Sequence, residues 1–240
     1  MSMRSNVLAA VSVLALAACG APEATDVATE ERTAPVRAAA TPTAPTQVFE
    51  RASVSSPDGE IVYSVFTENG LLRYSVEFGD ETVVAPSRLG LRFAEGFGPD
   101  ENIEIIGISE GSSDTTWEQP WGERRTVRDH HNELVVEARR VEPDIRFTLR
   151  VRVFDDGLGF RYEFGEQASV PDTVSITDEL TEFNVGRETE SWWIPSRQYN
   201  RYEYLYQNTP VDSIQMVHTP ITLRRESGTH LSIHEAALVN

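Results

Sequence analysis

The feature that most narrows the fold is the alternation across residues 145–153, Ile145-Arg146-Phe147-Thr148-Leu149-Arg150-Val151-Arg152-Val153, where apolar and polar side chains take turns without a fault. A helix would scatter those apolar groups around its circumference. A strand points successive side chains to opposite faces and so gathers them on one. Asp155-Asp156-Gly157 supplies a turn, and Phe160-Arg161-Tyr162-Glu163-Phe164 alternates again, so the segment reads as one long hairpin. Leu72-Arg73-Tyr74-Ser75-Val76-Glu77-Phe78 repeats the pattern, preceded by Asn69-Gly70, the pair favoured between hairpin strands. No stretch carries an apolar stripe of period 3.6. Short strands broken by Gly, Pro, Asn and Asp turns predict an all-β fold, a large antiparallel sandwich. Neither an internal repeat nor a second domain boundary is visible after residue 51.

The amino terminus reads differently. Arg4 precedes an apolar run over residues 7–18 that ends in Leu16-Ala17-Ala18-Cys19-Gly20. The run is shorter than the ~20 residues a membrane span needs and closes on small residues, as a cleaved secretion signal does. Leu-Ala-Ala-Cys-Gly resembles the bacterial lipobox, which implies cleavage before Cys19 and lipid attachment there. The expectation is a signal over residues 1–18 and an exported, periplasmic protein held to the outer membrane as a lipoprotein. Cys19 is the sole cysteine, so the mature chain forms no internal disulfide and no thiolate metal site. Residues 19–50 are rich in Ala, Thr, Pro and Glu and hold no aromatic residue before Phe49, the composition of a disordered tether. Residues 51–240 remain for one folded domain.

Charge excludes one class of partner. Lys+Arg number 21 against Asp+Glu 38, and without Arg4 the mature chain has 20 against 38, a net charge of −18. Such a field repels phosphate backbones, so nucleic acid is not expected to bind. No Gly-x-Ser-x-Gly elbow or phosphate-binding glycine loop occurs. Among the five histidines, His130 and His131 are neighbours on an expected strand and point to opposite faces. His230 and His234 would stand ~13 Å apart on one strand face, too far to grip one zinc. With 38 acidic residues, carboxylate pairs close in sequence arise by chance and reveal no acid–base chemistry.

Several segments mix aromatic and polar groups: Trp117-Glu118-Gln119-Pro120-Trp121-Gly122-Glu123, Trp192-Trp193-Ile194-Pro195 and Arg201-Tyr202-Glu203-Tyr204-Leu205-Tyr206. Aromatic faces beside carboxylates suit a sugar site, and the same residue types equally suit a sandwich core. The order and wording of further segments is more specific. Ser56-Pro57-Asp58-Gly59, Pro86-Ser87-Arg88-Leu89-Gly90-Leu91, Pro120-Trp121-Gly122-Glu123, His131-Asn132-Glu133-Leu134, residues 154–164 and Ile233-His234-Glu235-Ala236-Ala237-Leu238 follow one another along the chain. Together they resemble the amino-terminal domain of glycoside hydrolase family 97, the bacterial α-glucosidase and α-galactosidase family.

That resemblance implies a galactose mutarotase-like antiparallel β-supersandwich that leads into a (β/α)8 barrel, with the catalytic carboxylates on the barrel and none among residues 1–240. It implies a non-catalytic part of a calcium-dependent α-glycosidase acting on α-linked oligosaccharides. One glutamate of the domain would help bind the calcium ion, and the matching position is Glu203. A carboxylate is the hard oxygen donor calcium requires, but one cannot supply the six to eight oxygens alone. Glu235 is the second candidate, as support for the interdomain surface. Asn132 and Glu133 are candidates for lining the same cleft. The chain is expected to stop short of the barrel, and even of the sandwich's last strands, leaving an open sheet edge and exposed apolar surface. The competing readings are a stand-alone carbohydrate-binding lipoprotein and a sugar epimerase of the mutarotase fold.

Overall fold

The computed structural model describes residues 47–171, 173–198 and 200–235, so the expected signal, Cys19 and nearly all of the tether lie outside the described residues. Described residues form fourteen strands, one short 3-10 helix and no α-helix. β1 (Arg51–Ser55), β2 (Ile61–Glu68), β3 (Leu71–Phe78) and β4 (Glu81–Arg88) make an antiparallel meander in sequence order. The Asn69-Gly70 turn joins β2 to β3 with both residues at positive φ, 53° and 74°, which matches the right-handed twist of the flanking strands. After the short β5 (Leu91–Phe93) come β6 (Ile103–Glu118), β7 (Thr126–Arg140), β8 (Ile145–Phe154) and β9 (Gly157–Glu163), a second antiparallel meander.

The two meanders pack face to face. Alternation decides which side chains meet: along β8, Ile145, Phe147, Leu149, Val151 and Val153 are buried, while the residues between them reach the other face. Opposite them stand Tyr63, Val65, Leu72 and Tyr74, all buried. Tyr63 and Tyr74 stack at 5.6 Å between ring centroids, and Phe160 of β9 packs against both. The all-β sandwich expected from the alternation is therefore the observed architecture, with no sheet closed into a barrel.

Two smaller sheets complete it. β10 (Ile176–Glu179) pairs with β5, and β11 (Glu190–Trp193) lies between β12 (Gln207–Pro210) and β13 (Ile221–Arg224), with β14 (His230–Ile233) outside β13. Trp193, Ile221 and Leu223 join the common core, so this third sheet is part of the same packed unit. Arg225, just after β13, fastens it to the first sheet: its guanidinium donates to Glu81 at 2.5 Å and to the carbonyls of Val83 at 3.2 Å and Val185 at 2.7 Å. Among the described residues β14 pairs with β13 alone. His234 falls beyond the end of β14, so it does not share a strand face with His230.

Candidate functional site

The segment between β11 and β12 holds the first candidate. Its start is fixed by a short ladder: Ser196 N–H donates to the Met216 carbonyl and His218 N–H to the Ile194 carbonyl, each at 2.9 Å. The chain then turns outward, and its side chains fix the outward part. The Tyr202 ring packs on the His218 ring at 4.7 Å and its hydroxyl donates to the Thr219 carbonyl at 2.7 Å. His218 Nε2 donates in turn to the Arg201 carbonyl at 3.0 Å. Glu203 follows this clamp and is exposed; among the described residues no hydrogen bond or ion pair engages its carboxylate. A fixed backbone therefore presents an uncommitted hard oxygen donor to the outside.

Asn132 and Glu133 are not brought together. They are neighbours on β7, and successive residues of a strand face opposite ways. Asn132 faces the first sheet, where its amide donates to the Ser55 carbonyl at 2.9 Å. Glu133 faces away and accepts from Arg150 at 2.6 Å and from Arg152 at 2.8 Å. Partial burial pushes its carboxyl up, but the two guanidinium groups outweigh burial and hold it below the usual carboxylate range. Arg150 also binds Glu163, so Glu133 belongs to a cross-strand charge network on β7, β8 and β9. The two side chains thus lie on opposite faces of β7, each with partners of its own. His131 shares the face of Glu133 and lies buried against Phe154, with Nδ1 2.6 Å from an Asp129 oxygen. His130 faces the other way, 3.7 Å from Asp155.

Glu235, the last described residue, is exposed and lies close enough to Glu179 on β10 for its charge to act there. Glu179 carried no signal in the sequence, where Ile176-Thr177-Asp178-Glu179 reads as an ordinary edge strand. Burial pushes its carboxyl up to about 7; the Thr181 hydroxyl, donating at 2.8 Å, opposes the rise and Glu235 adds to it. Burial also raises the Tyr162 phenol, with Glu179 contributing. The Tyr162 hydroxyl lies near Thr181 and the Gly90 backbone without forming a well-aligned hydrogen bond to either. This is a titratable cluster between β9 and β10 that alternation alone does not reveal.

Metal chemistry by this chain alone is not supported: no group of three or more His, Cys, Asp or Glu that could hold an ion occurs among the described residues. Glu203 fits the chemistry of a single calcium ligand and needs further oxygens from elsewhere.

Comparison with known proteins gives the context of these residues. The glycosyl-hydrolase 97 N-terminal family model matches residues 54–240. A glycoside hydrolase family 97 enzyme variant from Pseudoalteromonas sp. strain K8, solved in complex with panose, is similar at 43% identity and TM-score 0.74 over 78% of this chain and 29% of its own. The enzyme in complex with acarbose matches with the same identity, TM-score and coverage. A beta-arabinopyranosidase at 23% identity and TM-score 0.68, covering 75% of this chain and 31% of its own, shares the fold. The chain thus spans under a third of the length of the solved proteins it matches.

Proposed function

The chain belongs to glycoside hydrolase family 97 as its amino-terminal domain, and on that premise we propose that it is the non-catalytic part of an exported, calcium-dependent α-glycosidase acting on α-linked oligosaccharides. The observation that carries the calcium assignment is the state of Glu203. The two residues before it, Arg201 and Tyr202, are held by His218 and Thr219, while its own carboxylate has no partner among the described residues. Glu133 and Glu163, by contrast, are already committed to arginines and are poorly placed to take a cation.

In this reading, the domain contributes a wall and one metal ligand to an active site whose acid and base lie further along the full-length polypeptide. The clamp holds the chain at Arg201 and Tyr202, just before Glu203, and the 201–206 segment would form the rim. When bound, calcium would polarise the substrate and orient the site. Panose, the ligand of a 43% identical relative, is an α-linked trisaccharide, which supports the substrate class. Glu235, beside Glu179, would support the interdomain surface. The lipobox-like segment supports export and membrane attachment at Cys19, which would put the sugar chemistry in the periplasm, at the outer membrane.

The test is calcium affinity of the full-length protein by titration calorimetry, with and without Glu203→Gln. The substitution keeps shape and removes charge, and affinity is expected to fall about tenfold or more, some 1.4 kcal/mol. Unchanged affinity would mean that the ligand is another residue. For the anchor, mass spectrometry of the mature amino terminus should find lipid on Cys19, and Cys19→Ser should release the protein from membranes.

A further inference from the structure

The longest paired element of the molecule runs past the sheet that supports it. β7 pairs with β8 only from Asn132 to Arg140, yet it pairs with β6 as far as Thr126, opposite Glu118. The six pairs from Ser113↔His131 to Glu118↔Thr126 therefore form a two-stranded arm, extending the sheet by ~20 Å. At its base, His131 packs on Phe154 and His130 approaches Asp155. Beyond that base, every hydrogen bond and ion pair made by residues 114–129 stays within the arm: Arg128 with Asp114, Arg125 with Glu118, Asp129 with His131. An isolated two-stranded ribbon is marginally stable in water, and among the described residues this one pairs with no third strand.

The tip is nevertheless built to one shape. Gln119 N–H donates to the Arg125 carbonyl at 2.9 Å, and the Gln119 amide donates to the Arg124 carbonyl at 2.6 Å. Gly122 sits at φ 122°, a conformation that L side chains rarely adopt, and a Cβ there would push aside the Gln119 amide 2.7 Å away. What this tight loop presents is Trp121, 84% exposed, beside Arg124, which has no side-chain partner among the described residues. Trp is highly buried on average, and Trp and Arg are the commonest anchors of buried interfaces. A pre-ordered loop that displays both, on an arm that cannot support itself, has the form of half an interface.

We propose that residues 113–131 are a docking arm for the part of the full-length polypeptide that follows this domain, with Trp121 as its anchor. The proposal rests on the reading that the chain is one domain of a longer enzyme. The occupant is argued from length: the matched relatives extend over more than three times the part this chain covers. A domain tethered in the same polypeptide also meets the arm at high effective concentration.

The experiment compares hydrogen exchange over residues 113–131, and hydroxyl-radical labelling of Trp121, in the 240-residue chain and in the full-length protein. In the short chain the arm should exchange freely and Trp121 should label as an exposed indole. In the full-length protein both should slow by about tenfold or more. Trp121→Ala in the full-length protein should return arm exchange toward the short-chain rate while exchange in the core strands stays unchanged. Equal rates in both proteins, with the longer one hydrolysing α-glycosides, would overturn the arm assignment and leave the functional reading standing. A longer protein without such activity, or no longer reading frame, would remove that reading and the arm's occupant with it. Protection of the short chain that grows with its concentration, or on adding panose, would assign the arm to a second copy or to sugar instead.

Discussion

Replacing Glu179 with Gln should stabilise the protein at alkaline pH and leave it unchanged at acid pH. In the fold this carboxyl is pushed from its ordinary 4.5 up to about 7, first by burial and then by Glu235. A group whose folded pKa is raised contributes stability that is fully present below about 4.5 and is lost as pH rises through about 7. At ~1.36 kcal/mol per pKa unit the full penalty is about 3.4 kcal/mol. The carboxyl is only partly buried, and solvent screening brings that to about 1–2 kcal/mol. Gln keeps the oxygen that accepts from Thr181 and never ionises, so the variant avoids the penalty. Urea unfolding followed by tryptophan fluorescence, with buried Trp193 among the reporters, should give equal stabilities at about pH 3.5, where the carboxyl is protonated in both folded and unfolded chains. At pH 8 the variant should be more stable by about 1–2 kcal/mol. The carboxylates that arginines hold low, Glu133 and Glu163 among them, lose their contribution only at acid pH and cancel in the comparison. A wild-type protein as stable as the variant at pH 8 would refute the reasoning, because Glu179 would then ionise without cost.

Other perturbations reach the core and the clamp. Leu149→Ala empties a fully buried position of β8, between Val136 and Tyr162; unfolding free energy measured in urea should fall by about 2–5 kcal/mol. Tyr202→Phe removes the bond to the Thr219 carbonyl but keeps the ring on His218. Exchange over residues 201–206 should speed up by a factor that reflects about 0.5–1 kcal/mol, and calcium affinity of the full-length protein should drop less than with Glu203→Gln.

Local rules made the sandwich legible. The alternation of β8 and β9 and the Asn69-Gly70 turn each act over a few residues, and each appears in the structure where it was expected. Pairings between distant segments left no such trace. β5 meets β10 across more than eighty residues, and β11 takes β12 on one side and β13 on the other. The outer half of β6, Glu110-Gly111-Ser112-Ser113-Asp114-Thr115-Thr116, is polar throughout and has no apolar face to announce a strand; its backbone bonds to β7 alone make it one. Within the candidate site, Glu203 is the position that the family resemblance implies, and composition and spacing alone do not mark it. Nor do they mark its clamp, because Tyr202 and Thr219 are 17 positions apart and nothing in either segment marks the other. Asn132 and Glu133 face opposite ways, as the strand rule requires of adjacent residues.

A free carboxylate is in itself no sign of function here, because 38 acidic side chains face 21 basic ones and many must go unpaired. What separates Glu203 from the rest is its setting. A carboxylate that merely faces water needs no ring contact and no paired bonds to a second loop in the residues before it, yet Arg201 and Tyr202 supply both. Nor does such a segment call for apolar side chains, and here Leu205 and Tyr206 stand exposed two and three residues on, with Met216 exposed on the companion loop. Exposed apolar groups around a held charge are what an interface core contains before its partner arrives. The arm with Trp121 shows the same combination of local rigidity and exposed aromatic surface in a different part of the fold. Stability of the domain by itself explains neither, since none of these exposed side chains contributes to its core. The contact with further polypeptide proposed above would account for both.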